Sequence, residues 1–278
     1  MSFYSLLFAA SLAAVLGKVI RIKQSRLPLR EGSREDTIHS YLGTLRHVQT
    51  LQLDDAEAHS SDSEFRYVDS LIVKPDGSEL LAITEESKFV TVNLWPSTID
   101  KFDVTGVKID PMCDPQGEIL DYESLGGSLA IRGTYSGGGR GDLISLNTFG
   151  DFSPTYGIHD MAELNNGDLM ILFVGGFDDK MRIGYVRRDE LRQAIHRGGI
   201  VRPEIIAHLS RFSSREMKGE YIIGDATGLD IRQDPRSSRI FVYITYDYYD
   251  GEEDHVLLTT FEWIPEDTAG RCANVATN

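Results

Sequence analysis

The sequence predicts an all-β protein, a β-propeller-like ring of about five or six blades with one short helix in an insertion. Three observations carry this expectation. One unit recurs, a short segment with a polar second residue that leads through a Gly or Pro turn into an apolar strand. It begins at Val68-Asp69-Ser70-Leu71, Tyr122-Glu123-Ser124-Leu125, Ile158-His159-Asp160-Met161 and Ala226-Thr227-Gly228-Leu229. The turns that follow are Lys74-Pro75-Asp76-Gly77, Gly126-Gly127, Asn165-Asn166-Gly167 and Asp234-Pro235-Arg236-Ser237-Ser238, residue types that supply fixed or positive φ between strands. Finally, no long stretch has the period of an amphipathic helix; only residues 189–196, with Leu191, Ala194 and Ile195 on one side, read as a short one.

The unit starts are 54, 36 and 68 residues apart. A four-stranded blade takes about 40 to 50 residues, so blades with insertions fit this spacing better than a flat sandwich. Residues 46–53 read as the first strand and 100–109 as another strand pair. Residues 240–245 are β-branched and aromatic, as a strand requires, and 256–263 are apolar at most positions, the mark of a strand covered on both faces.

The 278 residues are 41% apolar, enough for one large domain. The net charge of −15 disfavours nucleic acid and anionic membrane, which need clustered basic surface. It suits cationic ligands, metal ions or simple solubility, and the partner expected is a small-molecule substrate or a cation. Charge is uneven: Lys18, Arg21, Lys23, Arg26, Arg30 and Arg34 against Glu31 give residues 18–34 a net +5. The expected organisation is a signal peptide at 1–17, a basic linker at 18–45, the β domain at 46–265 and a tail at 266–278. The apolar run at residues 3–16, ending in small residues, is too short to span a bilayer and points to secretion. The sequence has no Asn-x-Ser/Thr acceptor. The two cysteines, Cys113 and Cys272, form one disulfide in a secreted chain or are two unrelated thiols in a cytosolic one. Neither has the His partners of a zinc site.

The Gly-rich stretch Ser136-Gly137-Gly138-Gly139-Arg140-Gly141-Asp142 could cradle an anion with Arg132 and Arg140. It lacks the Lys-Ser/Thr of a phosphate-binding loop and no helix follows it, so it reads better as a hairpin tip. The acidic segment 54–64 lacks the ligand order of a calcium loop and reads as solvated. The aromatic and acidic segment 246–255 reads as another hairpin tip. No Gly-x-Ser-x-Gly elbow supplies a serine nucleophile.

Several short elements together resemble the phytase-like family, described as having esterase-like activity of phytase. They are residues 158–164 before Asn166-Gly167-Asp168-Leu169, Gly176-Phe177 followed by Arg182-Ile183, and Ile244-Thr245-Tyr246-Asp247 with Leu257-Leu258-Thr259-Thr260-Phe261. The resemblance spans about residues 65–263. It implies a propeller that hydrolyses a phosphoester or carboxyl ester with a divalent metal, calcium foremost. The family's acidic second position is kept at Asp69 and Glu123 but is His159 and Thr227 in the other copies. Asp247 is kept after the last strand, with Tyr246 where an Asp is usual, and Val174-Gly175 stands where an acidic pair is usual. The expected site is therefore Glu123, Asp69 and His159 as catalytic groups. Asp69, Glu123 and Asp121, with Asp160 nearby, would hold metal, while Arg132, Arg140 and Asp247 would bind substrate. Two other readings stay open: a non-catalytic binding or structural propeller whose polar residues cap strand ends, and a lactonase-type propeller. The protein is expected to be a monomer.

Overall fold

The computed structural model describes residues 17–30, 36–59, 62–98, 100–113, 118–119, 156–175, 180–197, 201–210, 225–249 and 252–266. Among these, the strands β1 (Lys18–Ile20), β2 (Ile22–Leu27), β3 (Thr37–His39), β4 (Gly43–Asp55), β5 (Val68–Val73), β6 (Glu79–Thr84), β7 (Lys88–Pro96), β8 (Phe102–Pro111), β9 (Tyr156–Glu163), β10 (Leu169–Gly175), β11 (Lys180–Val186), β12 (Glu204–Ser210), β13 (Asp225–Gln233), β14 (Ile240–Tyr249) and β15 (Asp254–Pro265) accompany one helix, α1 (Arg188–Arg197). The all-β class is as the sequence predicts. No described helix is long and apolar enough to cross a membrane.

The strands form three antiparallel sheets. The first is the meander β5-β6-β7-β8 with β1 added beyond β8, the second is the meander β9-β10-β11-β12, and the third is β13-β14-β15-β4-β2, with β3 also on β4. The first hairpin of each sheet forms at an anticipated turn. Gly77 (φ 74°) and Gly167 (φ 87°) take the left-handed conformation that glycine adopts without a Cβ penalty, and Ser238 takes it at φ 59°. The repeat start at Tyr122 lies outside the described residues.

Period-2 alternation places the cores. Along β14, Phe241 and Tyr243 pack with the first sheet, while Val242, Ile244 and Tyr246 pack with the second. On β15, Val256 and Leu258 face the first sheet and Leu257, Phe261 and Trp263 the second. The third sheet therefore lies between the other two, which is why residues 256–263 are apolar on both faces. A smaller core, Ile171, Phe173, Val186, Leu191, Ala194 and Val201, seats α1 on the second sheet. Asp189 and Glu190 in its first turn and His196 and Arg197 in its last match the helix dipole.

Residues 18–45 are not the expected linker. Their short strands extend two sheets: β1 pairs β8, β2 pairs β4 over Ile22↔Asp55 to Leu27↔Thr50, and β3 pairs β4 near its start. Three of the basic side chains have acidic partners, two in the loop between β4 and β5 and one on β8. Lys18 Nζ is 3.1 Å from Glu64, Arg21 3.8 Å from Glu57 and Arg26 2.5 Å from Asp103. Gln24 Oε1 also accepts the Val104 N–H at 2.9 Å, tying β2 to the first sheet. Such exposed ion pairs are worth about 0–1 kcal/mol each, so they fix where the segment lies more than they stabilise it.

The longest closure joins the two ends of the described chain: β4 pairs β15 from Val256↔Leu53 to Pro265↔Gly43. At its middle the Thr50 and Thr259 hydroxyls are 2.9 Å apart and buried, across 209 residues of sequence. A T50C/T259C variant should oxidise to a single cross-link that changes mobility on a non-reducing gel. By loop-closure entropy it should gain up to about 5 kcal/mol, less any strain. Failure to cross-link under oxidising conditions would contradict the β4–β15 register.

Candidate functional site

The four-residue repeat has a shared structural meaning: in all three described sheets it is a break in register on the first strand. On β5, Val68 pairs Thr84 and Leu71 pairs Ala82, so Asp69 and Ser70 together oppose Ile83. On β9, His159 is the extra residue between Ile158↔Phe173 and Asp160↔Leu172. On β13, Thr227 is the extra residue between Ala226↔Tyr246 and Gly228↔Thr245. Such bulges bend a strand and re-aim side chains. Here they lie where β13 packs against both β5 and β9.

These first strands are edges of their sheets, so a row of backbone N–H and C=O groups lacks a ladder partner and needs another one. Carboxylates supply it. Buried Asp160 on β9 accepts the Leu229 N–H of β13 at 2.8 Å and the Ser70 hydroxyl of β5 at 3.1 Å on Oδ2, while its Oδ1 accepts the Met161 N–H at 2.8 Å. Asp230 on β13 accepts the Val73 N–H of β5 at 2.6 Å. The Thr227 hydroxyl donates to the Val68 carbonyl. Gly228 permits the approach, since a Cβ there would stand 2.4 Å from the Asp69 carbonyl oxygen.

The electrostatics follow from this crowding. Burial raises Asp230 to about 6, against the pull of the Val73 and Ile231 N–H groups and helped by the Asp160 charge. Burial likewise raises Asp69 to about 6, with Glu85 and then Asp160 adding repulsion. Chemically, the junction can hold protons near pH 6. Among the described residues, no group of three His, Cys, Asp or Glu side chains is arranged to hold a metal ion.

Of the sequence-derived site, the structure brings Asp69 into this junction together with Asp160. His159, the bulged residue, is exposed. Asp247 is half-buried, pairing Asp225 on one side and Val256 on the other. Its neighbour Tyr246 is fully buried in the core. Asp121, Glu123, Arg132, Arg140 and Cys272 lie outside the described residues. Cys113 is exposed and forms no disulfide among the described residues. Sequence reasoning placed Asp160 only as a neighbour and missed Asp230. For Asp160 the available signal was its place directly after the polar second residue of a repeat; for Asp230 there was none.

At the other end of these strands the three hairpin turns line a half-open cavity of about 410 Å3. Val73 and Pro75 come from the first sheet, Asn165 from the second, and Arg232, Asp234 and Ser238 from the third.

No protein-family model matches the chain, and no curated protein does. Among solved structures it is similar to the tail fiber of Staphylococcus aureus phage P68, at 13% identity and a TM-score of 0.35, with 72% of this chain and 51% of that chain covered. The chain thus spans about half the length of that structure.

Removing the Asp160 carboxylate in D160A leaves three donors without their acceptor, which should cost about 2 to 4 kcal/mol in urea unfolding. A loss below about 0.5 kcal/mol, the size of an ordinary surface change, would show that the junction does not depend on it.

The junction also sets a pH dependence. Between about pH 4 and 6 the folded chain keeps the Asp230 proton after the unfolded chain has lost it, so this group's contribution to stability falls as pH rises through that window. His47, lowered by burial to about 4 from 6.5, acts oppositely: its contribution is lost as pH falls from 6.5 towards 4. In D230N only the first effect disappears, so stability should climb more steeply with pH than in the parent by about 1 to 3 kcal/mol across the window. Urea midpoints at either end of that range test this, and parallel profiles would refute the Asp230 assignment.

Proposed function

We propose that the protein is a β-propeller-type binding scaffold that does not catalyse hydrolysis. Two features support the ring. The third sheet lies between the first and the second, as the last unit of a ring lies between the first unit and its predecessor in the chain. That sheet is also completed by β4, a strand from the start of the chain. The observation that carries the non-catalytic reading is the Asp160 carboxylate, whose two oxygens accept three hydrogen bonds from three first strands. A carboxylate engaged in this way holds sheets together and has little left to offer a metal or an attacking water.

The competing reading, a metal-assisted ester or phosphoester hydrolase, uses Asp69 with Glu123 and Asp121. Purified protein should turn over neither a generic phosphate ester nor a generic carboxyl ester, with or without added calcium, at rates above buffer. Calcium-dependent hydrolysis of either ester that is lost in D69N would overturn the binding-scaffold reading in favour of the hydrolase.

A further inference from the structure

The cavity between the hairpin turns has a wall built of two opposite charges held by other groups. Arg232 is 12% exposed in its side chain. Its Nε donates to the Tyr243 hydroxyl at 3.2 Å, its guanidinium carbon lies 4.9 Å from the centroid of the Phe241 ring, and Gly77 leaves room for it, since a Cβ there would come within 3.0 Å of Arg232 Cζ and Nε. These contacts fix the orientation of the guanidinium, whose planar fork of donors suits a carboxylate. Beside it, Asp234 Oδ1 is 3.5 Å from Arg232 Nη1, longer than a good charge-assisted hydrogen bond. The other Asp234 oxygen accepts the Ser237 N–H at 2.8 Å and the Ser237 hydroxyl at 2.5 Å. Those two bonds keep its carboxyl below the usual carboxylate range, so it is charged at neutral pH.

A simple anion drawn to Arg232 meets the negative charge of Asp234, and a simple cation drawn to Asp234 meets Arg232. A molecule bearing both charges a few ångströms apart satisfies each at once. Asn165, from a different sheet, adds an amide that can donate or accept across the cavity. The volume of about 410 Å3 falls in the range of small-molecule sites. We infer that this cavity binds a small zwitterion of the free amino-acid or dipeptide type, its carboxylate on Arg232 and its ammonium on Asp234. The inference rests on the binding-scaffold reading and names the ligand class for it.

The test uses the full chain and two measurements. The twenty free amino acids and glycylglycine are screened at millimolar concentration by thermal shift. The best binder is then titrated by calorimetry beside its amide and its N-acetyl derivative, each of which lacks one charge. At least one zwitterion should raise the melting temperature, and each derivative should bind about tenfold or more weakly, the loss of roughly one charge-assisted contact. D234N, which keeps an oxygen for the Ser237 turn, should weaken the zwitterion by a similar factor. N165A, on a separate turn, should weaken it less and serves if D234N fails to fold. No shift with any zwitterion, derivatives that bind as well as the parent, or unchanged affinity in both variants would overturn the inference. The ester assays are independent, so loss of the scaffold reading is distinguishable from loss of the ligand.

Discussion

Three sheet edges meet in this protein without sharing a hydrogen-bond ladder, and that constraint governs the residues around them. β5, β9 and β13 each leave one side of their backbone unpaired, and buried peptide groups left without partners cost about 1 to 3 kcal/mol apiece. Closing the edges against one another would merge the sheets. Side chains bridge them instead: Asp160 reaches β5 and β13, Asp230 reaches β5, and Thr227 reaches the β5 carbonyl at Val68. The solution packs carboxylates into a half-dry region, and burial first, with the neighbouring charges adding to it, is why Asp69 and Asp230 hold their protons up to about pH 6.

Much of the framework was legible in the sequence because it is written in local chemistry. The turns at Gly77, Gly167 and Ser238 announced themselves through Pro, Asn, Asp, Gly and Ser, and the double-sided burial of β15 showed in its mostly apolar run. The helix came within a residue of its observed ends. The repeat start marked the right place but suggested the wrong side chain. A bulge turns consecutive residues away from strict alternation, so on β9 the buried carboxylate is the third residue of the motif, Asp160, and the second, His159, faces solvent. Asp230 left no trace, since its partner is a backbone N–H 157 residues away.

The basic segment at residues 18–45 reads as a linker for a related reason. Edge strands with solvent on both faces carry polar side chains, and Ile22-Lys23-Gln24-Ser25-Arg26-Leu27 shows little alternation. Charge helps to place it: the segment lies along Glu57 and Glu64 of the loop between β4 and β5 and along Asp103 of β8. Charge asymmetry along the chain becomes charge balance in space.

The pairing of β4 with β15 also bears on how the chain is made. During synthesis Thr50 leaves the ribosome 209 residues ahead of Thr259, an interval of about 10 to 40 s at ordinary elongation rates. Throughout that time β4 has only β2 and β3 to pair with, while its Val48, Leu51 and Leu53 can already pack on the first sheet and Leu45 still waits for the second. The nascent chain therefore carries an unpaired strand edge along β4 until β15 emerges, a template on which another chain could add a strand.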